Sequence, residues 1–327
     1  MSKPFDFSFY RGRKVLVTGA SGYIASALVP KLHAAGAQLT LAARSPKDAV
    51  LGGFQFSGDV SFVDLNDVSL LASATDACDF VFHLAGQTSV HVAEQNPLGD
   101  LAANVELSLR LLDSYSKRKR GEGAIVMAGT ATAVGLQAML PVQDGCAAAP
   151  ISVYDLHKSV VERYVDYFAR EKNCEAVVLR LANVYGPGKA SGAWDRGILQ
   201  KTAKAALKGQ KITVFGTGEY IRDYVFLDDV VDAFLLSGIH SRKLAGKACF
   251  VSTGVGRTLK SAFSEVARQA EVLTGIPVEV SIDAAAPLSP LDRRNFAGQP
   301  TLLMEHAGWK AKTEFKAGVA RTLEEFR

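Results

Sequence analysis

The stretch Val15-Leu16-Val17-Thr18-Gly19-Ala20-Ser21-Gly22-Tyr23-Ile24-Ala25 limits what this chain can fold into more than any other. An apolar run reads as a buried parallel strand, a Gly-rich turn follows at once, and Ala25 to Ala35 carries helical spacing that stops at Gly36. In a strand-turn-helix unit of this kind the glycines let backbone approach a pyrophosphate. The helix N-terminus adds free N–H groups and a partial positive charge. The stretch therefore predicts a dinucleotide site at the first strand of a parallel sheet.

The remaining sequence agrees with that start. Strand-like runs at Gln38–Ala43, Ser61–Val63, Phe80–Leu84, Ala124–Ala128 and Ala176–Leu181 alternate with helical periodicity at Leu70–Ala74, Leu101–Arg118 and Val153–Lys172. This order predicts an α/β fold, a doubly wound parallel sheet with ligands at the carboxyl ends of its strands. After Pro187 glycines become denser and the alternation stops, so a smaller C-terminal substrate-binding lobe is expected over 187–327. Ile198–Lys208 gives that lobe a helix, and residues from about 222 to 253 return to the sheet domain, Ala248–Val251 as a strand. With 327 residues, 48% of them hydrophobic, there is material for both units.

A net charge of +4 is mild for this length, and the dense run Lys117-Arg118-Lys119-Arg120 suits the solvated C-terminal turn of a helix better than a nucleic-acid surface. No segment has the roughly 20 apolar residues of a membrane span, and Met1–Lys14 has no signal-peptide core, so a cytoplasmic protein is expected. Cys78, Cys146, Cys174 and Cys249 are isolated from one another and from histidines, which predicts buried thiols and no metal site. His83, inside an apolar strand, reads as a core histidine.

Two more stretches carry chemistry. Tyr154 and Lys158 lie one turn apart on the predicted helix Val153–Lys172, so both side chains leave the same face, and a neighbouring ammonium favours a phenolate. The other is Asn183-Val184-Tyr185-Gly186-Pro187. Together with the Gly19–Ala25 loop they resemble the extended short-chain dehydrogenase/reductase family, in its nucleotide-sugar epimerase, dehydratase and reductase branch, over nearly the whole chain. Ala25 replaces the commoner third glycine of that family's loop.

The resemblance implies a Rossmann domain over 1–186 in which Gly19, Ser21, Gly22, Tyr23 and Ile24 meet the cofactor phosphates, Asp64 and Leu65 flank adenine, and Leu84, Ala85 and Gly86 border the ribose. At the end of the second strand an acid would bond the ribose hydroxyls and repel a 2′-phosphate, whereas this chain has Ala43 and then Arg44, with Ser45 and Lys47 beyond. That points to NADP(H), with NAD less favoured.

For the reaction, the resemblance implies Tyr154 as proton donor or acceptor, Lys158 as phenolate stabiliser and ribose ligand, and Thr130 as the hydroxyl that orients the substrate oxygen. Members that eliminate water or decarboxylate need carboxylates just after Thr130, and Ala131 and Thr132 stand there. Asn183, Thr132, Arg222 and Arg293 or Arg294 are implied as contacts to a nucleoside-diphosphate sugar. Asn295 stands where relatives often carry Asp, which leaves the choice between the two arginines open. Phe215 could cover the nucleobase or equally be a core ring. The favoured reading is an NADPH-dependent reductase of an NDP-4-keto-6-deoxysugar. Its alternative is an NDP-sugar 4-epimerase with tightly held NAD(P), and a catalytically idle nucleotide binder is the third. Family likeness also implies a homodimer through Leu101–Arg118 and Val153–Lys172, unless their apolar stripes (Val105, Leu109, Leu112; Val153, Val160, Tyr164, Phe168) face the sheet.

Overall fold

The computed structural model describes residues 5–43, 60–64, 67–118, 121–188 and 197–327. The central strands are β1 (Lys14–Thr18), β2 (Gln38–Ala43), β3 (Val60–Asp64), β4 (Phe80–His83) and β5 (Ala124–Thr130). After the short β6 (Val142–Gln143) come β7 (Ala176–Leu181), β8 (Asn183–Tyr185), β9 (Ile212–Phe215), β10 (Ile221–Phe226) and β11 (Ala248–Val251). Seven of them form one sheet in the order β11-β7-β5-β4-β1-β2-β3, and every pair in it is parallel. The chain reverses direction across the sheet at β1, so the Gly-rich turn sits at the switch point where such sheets bind ligands.

Strands covered on both faces read as continuous apolar runs, and alternate side chains serve opposite layers. Val15, Val17, Phe80 and Phe82 pack with Leu28 and Leu32 of α1 (Ala25–Ala34). Leu16, Val81 and Ile125 point the other way, to Leu71 of α2 (Val68–Ala77) and to helices described below. Sequence periodicity located the strands closely. The helix expected over Leu101–Arg118 is present as far as Ser116, but it follows an additional α3 (Val90–Gln95), starts earlier as α4 (Pro97–Leu101), and runs through a π-helical turn at Ala102–Glu106 into α5 (Leu107–Ser116). Asn96 caps α4 through Gly99 N–H with Pro97 in the first turn, which starts the helix early.

Next comes α6 (Val153–Lys172), as the spacing predicts. The stripe residues Val105, Leu112 and Phe168 are buried against the sheet, with Leu109, Val160 and Tyr164 packed beside them. Those stripes therefore cover the sheet. Of the basic run, Lys117 pairs with Asp113 at 2.6 Å, and Arg118 stacks on Tyr115 while donating to Cys78 O; Lys119 and Arg120 lie outside the described residues.

Beyond β8 the chain adds α7 (Ile198–Leu207), α8 (Leu227–Ile239), α9 (Ser241–Leu244), β12 (Gly256–Thr258), α10 (Leu259–Thr274), β13 (Val280–Asp283), β14 (Gly298–Gln299), α11 (Thr301–Ala307) and α12 (Phe315–Phe326). Leu199, Val214, Phe263, Val266 and Phe315 build a separate core from α7, β9, α10 and α12. In contrast, α8 and α11 pack on the main sheet through Val230, Phe234 and Leu303. β11 completes the edge of that sheet beside β7. Cys78, Cys174 and Cys249 are buried thiols and Cys146 is half-buried. Among the described residues no cluster of His, Cys, Asp and Glu could hold a metal, and no helix is long and apolar enough to cross a membrane.

Candidate active site

The Gly-rich turn is packed against the end of β4 with no room for a side chain. Gly19 has φ +68°, and a Cβ there would lie 2.6 Å from Ala85 N, so any other residue at 19 is both strained and obstructed. Gly22 N–H donates to Gly19 O at 2.8 Å and Ser26 N–H to Gly22 O, which turns the backbone into α1. Tyr23 donates its hydroxyl to Gly186 O at 2.9 Å, joining this loop to the Asn183–Pro187 segment. Between them opens a cleft of about 310 Å³ with Gly22, Ile24, Leu84 and Gly86 on one side and Asn183 and Tyr224 on the other. The structure thus brings together the loop, the Leu84–Gly86 turn and Asn183. Tyr224 was missed in the sequence, and its buried hydroxyl has no hydrogen-bond partner among the described residues.

At the neighbouring strand end, β5 delivers Thr130 and α6 delivers Tyr154 and Lys158, all nearly buried. Two caps start α6 where it must start: Ser152 Oγ accepts from Asp155 N–H at 3.1 Å and Glu94 Oε1 from Val153 N–H at 2.8 Å. Lys158 Nζ donates to Ala128 O at 3.1 Å, tying the helix to β5. Burial lowers the Lys158 pKa to about 8, partly opposed by Asp100. His83 is a satisfied core histidine, as expected. Its Nδ1 lies 2.7 Å from Thr18 Oγ1 and its Nε2 3.0 Å from Ser108 Oγ, and burial, with Lys158 adding, lowers its pKa to about 3.

Under Lys158 lies a polar network that the sequence did not announce. Asp100 accepts from Gln87 Nε2, from Asn104 Nδ2 and from His157 Nδ1, at 2.7, 2.9 and 2.6 Å. Asn104 sits in the π-helical turn and also donates to Gln87 O at 3.0 Å. Its buried Oδ1 has no hydrogen-bond partner among the described residues. A Cβ on Gly86 would lie 2.5 Å from that oxygen and 3.5 Å from Lys158 Nζ. The bare glycine therefore leaves a space lined by an unsatisfied acceptor and an ammonium. These features fit a dinucleotide whose ribose end reaches Lys158.

The other expected contacts are placed differently from one another. Asp64 ends β3, half-buried, and Arg44, Ser45, Lys47 and Leu65 lie outside the described residues. Phe215 is no core ring: it is 56% exposed at the end of β9. Arg222 spends its guanidinium on Ile221 O, Asp292 O and Arg294 O, so it stitches the 292–294 loop to β10. Asn295 Oδ1 accepts from Ile221 N–H at 2.8 Å and anchors the same loop. Arg293 is exposed, whereas Arg294 turns inward to Asp155, 2.8 Å away.

Residues 15–248 match the model of the family described as the NAD dependent epimerase/dehydratase family. The chain belongs to that family. The match spans the glycine loop, Thr130, Tyr154 and Lys158, and ends where β11 begins. Among relatives of this chain, a UDP-glucose 4-epimerase of Mycolicibacterium smegmatis is 29% identical over 96% of this chain and 98% of its own length. A UDP-glucose 4-epimerase of Thermotoga maritima, solved with UDP-glucose, superposes with a TM-score of 0.82 at 29% identity, covering 96% of this chain and 98% of that one. An epimerase of Methanothermobacter thermautotrophicus superposes at 0.85, with 25% identity and 98% and 94% coverage.

Proposed function

We propose that this family member is an enzyme acting on a nucleoside-diphosphate sugar, and specifically a UDP-sugar 4-epimerase. Reduction of an NDP-4-keto-6-deoxysugar is the second reading. The observation that carries the choice is the full-length likeness to 4-epimerases at 29% identity, on a site where the two residues after Thr130 are Ala131 and Thr132.

A bound nicotinamide would supply the hydride chemistry at the sugar C4, accepting hydride from one face of that carbon and returning it to the other. The residues of the chain supply everything else. Tyr154 removes the C4 hydroxyl proton and returns it, Thr130 holds the oxygen, and Lys158 keeps the phenolate favourable while reaching the ribose. Gly19, Ser21, Gly22, Tyr23 and Ile24 offer backbone to the pyrophosphate, and Leu84, Ala85 and Gly86 border the ribose. Asn183 and Thr132 face the substrate, Phe215 offers its exposed ring to the base, and Arg293 supplies charge for the diphosphate from the loop that Arg222 holds in place. Ala43-Arg44 favours NADP(H), with NAD the weaker partner, and a homodimer completes the reading.

The test is to incubate the enzyme with UDP-glucose and either NAD⁺ or NADP⁺ and to look for UDP-galactose. Inversion without net cofactor consumption is expected, faster with NADP⁺, and Tyr154→Phe should lower kcat on the order of 10²–10⁴. Stoichiometric NADPH oxidation by a 4-keto-6-deoxysugar nucleotide, with no inversion of UDP-glucose, would replace the epimerase with the reductase.

A further inference from the structure

Asp100 is buried in α4, and none of the roles above uses it. The bonds around it decide which way the Asn104 amide faces. Asn104 Nδ2 has two protons and gives one to Gln87 O and one to Asp100 Oδ1, at 3.0 and 2.9 Å. Gln87 Nε2 likewise gives one to Asp100 Oδ1, at 2.7 Å, and one to Ser89 O, at 2.8 Å. The other carboxylate oxygen accepts from His157 Nδ1 at 2.6 Å. Turning the Asn104 amide over would set its oxygen against a carboxylate and a carbonyl, acceptor against acceptor. Its Oδ1 is therefore held on the side of Gly86, where a Cβ would lie 2.5 Å from that oxygen and 3.5 Å from Lys158 Nζ.

An acceptor and a cationic donor facing one space suit a hydroxyl, which has one proton to give and lone pairs that receive. Lys158 spends one of its three protons on Ala128 O and keeps two. We propose that Asp100 is a positioning residue: by holding Asn104 directly and Gln87 through its amide, it keeps the Asn104 carbonyl turned toward Lys158, and the two receive a ribose hydroxyl of the cofactor. That hydroxyl gives its proton to Asn104 Oδ1 and accepts from Lys158 Nζ, so the proton that moves between Tyr154 and the sugar is not drawn on. The inference rests on the reading that Lys158 reaches the ribose. His157, the residue before Lys158, grips the same carboxylate, so one buried charge sets α4, the π-helical turn and α6 relative to one another.

The test is calorimetric titration of the full chain with NAD⁺ and with NADP⁺, and with UDP as a control for the rest of the site. Asn104→Leu, near in shape, should weaken both dinucleotides on the order of tenfold, the worth of about one hydrogen bond, and leave UDP unchanged. Asp100→Leu should do the same, or Asp100→Ser in its place where the leucine variant does not fold. The double variant Asp100→Leu/Asn104→Leu should lose no more than either single one, because Asp100 acts through Asn104. Asp100→Asn keeps an acceptor for Asn104 and Gln87 and turns its own amide to the other tautomer of His157, so it should restore most of the affinity lost in Asp100→Leu. Unaltered affinity in Asn104→Leu, losses that multiply in the double variant, or a loss in Asp100→Asn as large as in Asp100→Leu would overturn the proposal. Lys158→Met binding both dinucleotides as the wild type does would remove the ribose reading and this proposal with it, whereas weakened binding there beside an unaltered Asn104→Leu removes this proposal alone.

Discussion

Lys158 shows what burying an amine costs a fold. Burial brings its pKa down to about 8 from an ordinary 10.5. Between those values the unfolded chain binds the proton and the folded chain does not, so stability rises with pH across that window and the burial cost is felt in full below it. Lys158→Met removes the cost while losing activity and cofactor affinity. Urea titrations should find the variant more stable than the wild type near pH 7, by up to about 3 kcal/mol, with the difference shrinking as pH passes from about 8 toward 10. A difference that does not change with pH would show that the amine is not held neutral by the fold. Tyr154 and Lys158 were legible because their relation is local, one turn of one helix. The pairs that orient them were not. Arg294 meets Asp155 across 139 positions, and His157 meets Asp100 across 57. No spacing rule reaches that far, although an acid beside Tyr154 was in plain view.

At the scale of elements, the first turn of α6 matters most, because it fixes where Tyr154 and Asp155 point. Ser152-x-x-Asp155 has the form of a capping box, but Asp155 turns to Thr132 and Arg294 instead of back to Ser152 N–H, and Glu94 of α3 takes the next amide, Val153 N–H. Ser152→Ala should therefore cost about 1 kcal/mol in chemical denaturation, with Glu94 holding the second amide; no measurable loss would show that the Glu94 cap suffices. Continuous apolar runs gave β1, β2 and β7 their limits directly, since strands buried on both faces have little else to be. The helix expected over Leu101–Arg118 is there, but its earlier start and the π-helical turn inside it were not legible, for a definable reason. The π-helical turn exists to seat Asn104 against Asp100 and Gln87, a tertiary demand that periodicity does not carry, although Asn96-Pro97 did mark the true start of α4.

For the whole molecule, alternating strands and helices were enough to expect a doubly wound parallel sheet, and the apolar run Ala248–Val251 was enough to expect its return to that sheet; the strand order that puts β1 at the switch point and β11 at the edge came only with the structure. Association was read less well. The apolar stripes of α5 and α6 that suggested a dimer cover this chain's own sheet. What remains outside is a different set: Leu98 and Leu101 on α4, with Leu156 and Tyr167 on α6, exposed by 80, 42, 48 and 45%, on helices that pack against each other. Large apolar side chains gathered on adjacent helices are the kind of surface a two-fold partner buries. Each leucine so covered contributes roughly 1.5–3 kcal/mol, so a second copy docking through α4 and α6 is expected at micromolar concentration. Light scattering should return twice the 34.9 kDa chain mass, and Leu98→Glu with Leu156→Glu should shift the protein to monomer while leaving its melting temperature nearly unchanged. A wild type that scatters as a single chain under those conditions would remove the dimer, and the exposed leucines would then be ordinary surface.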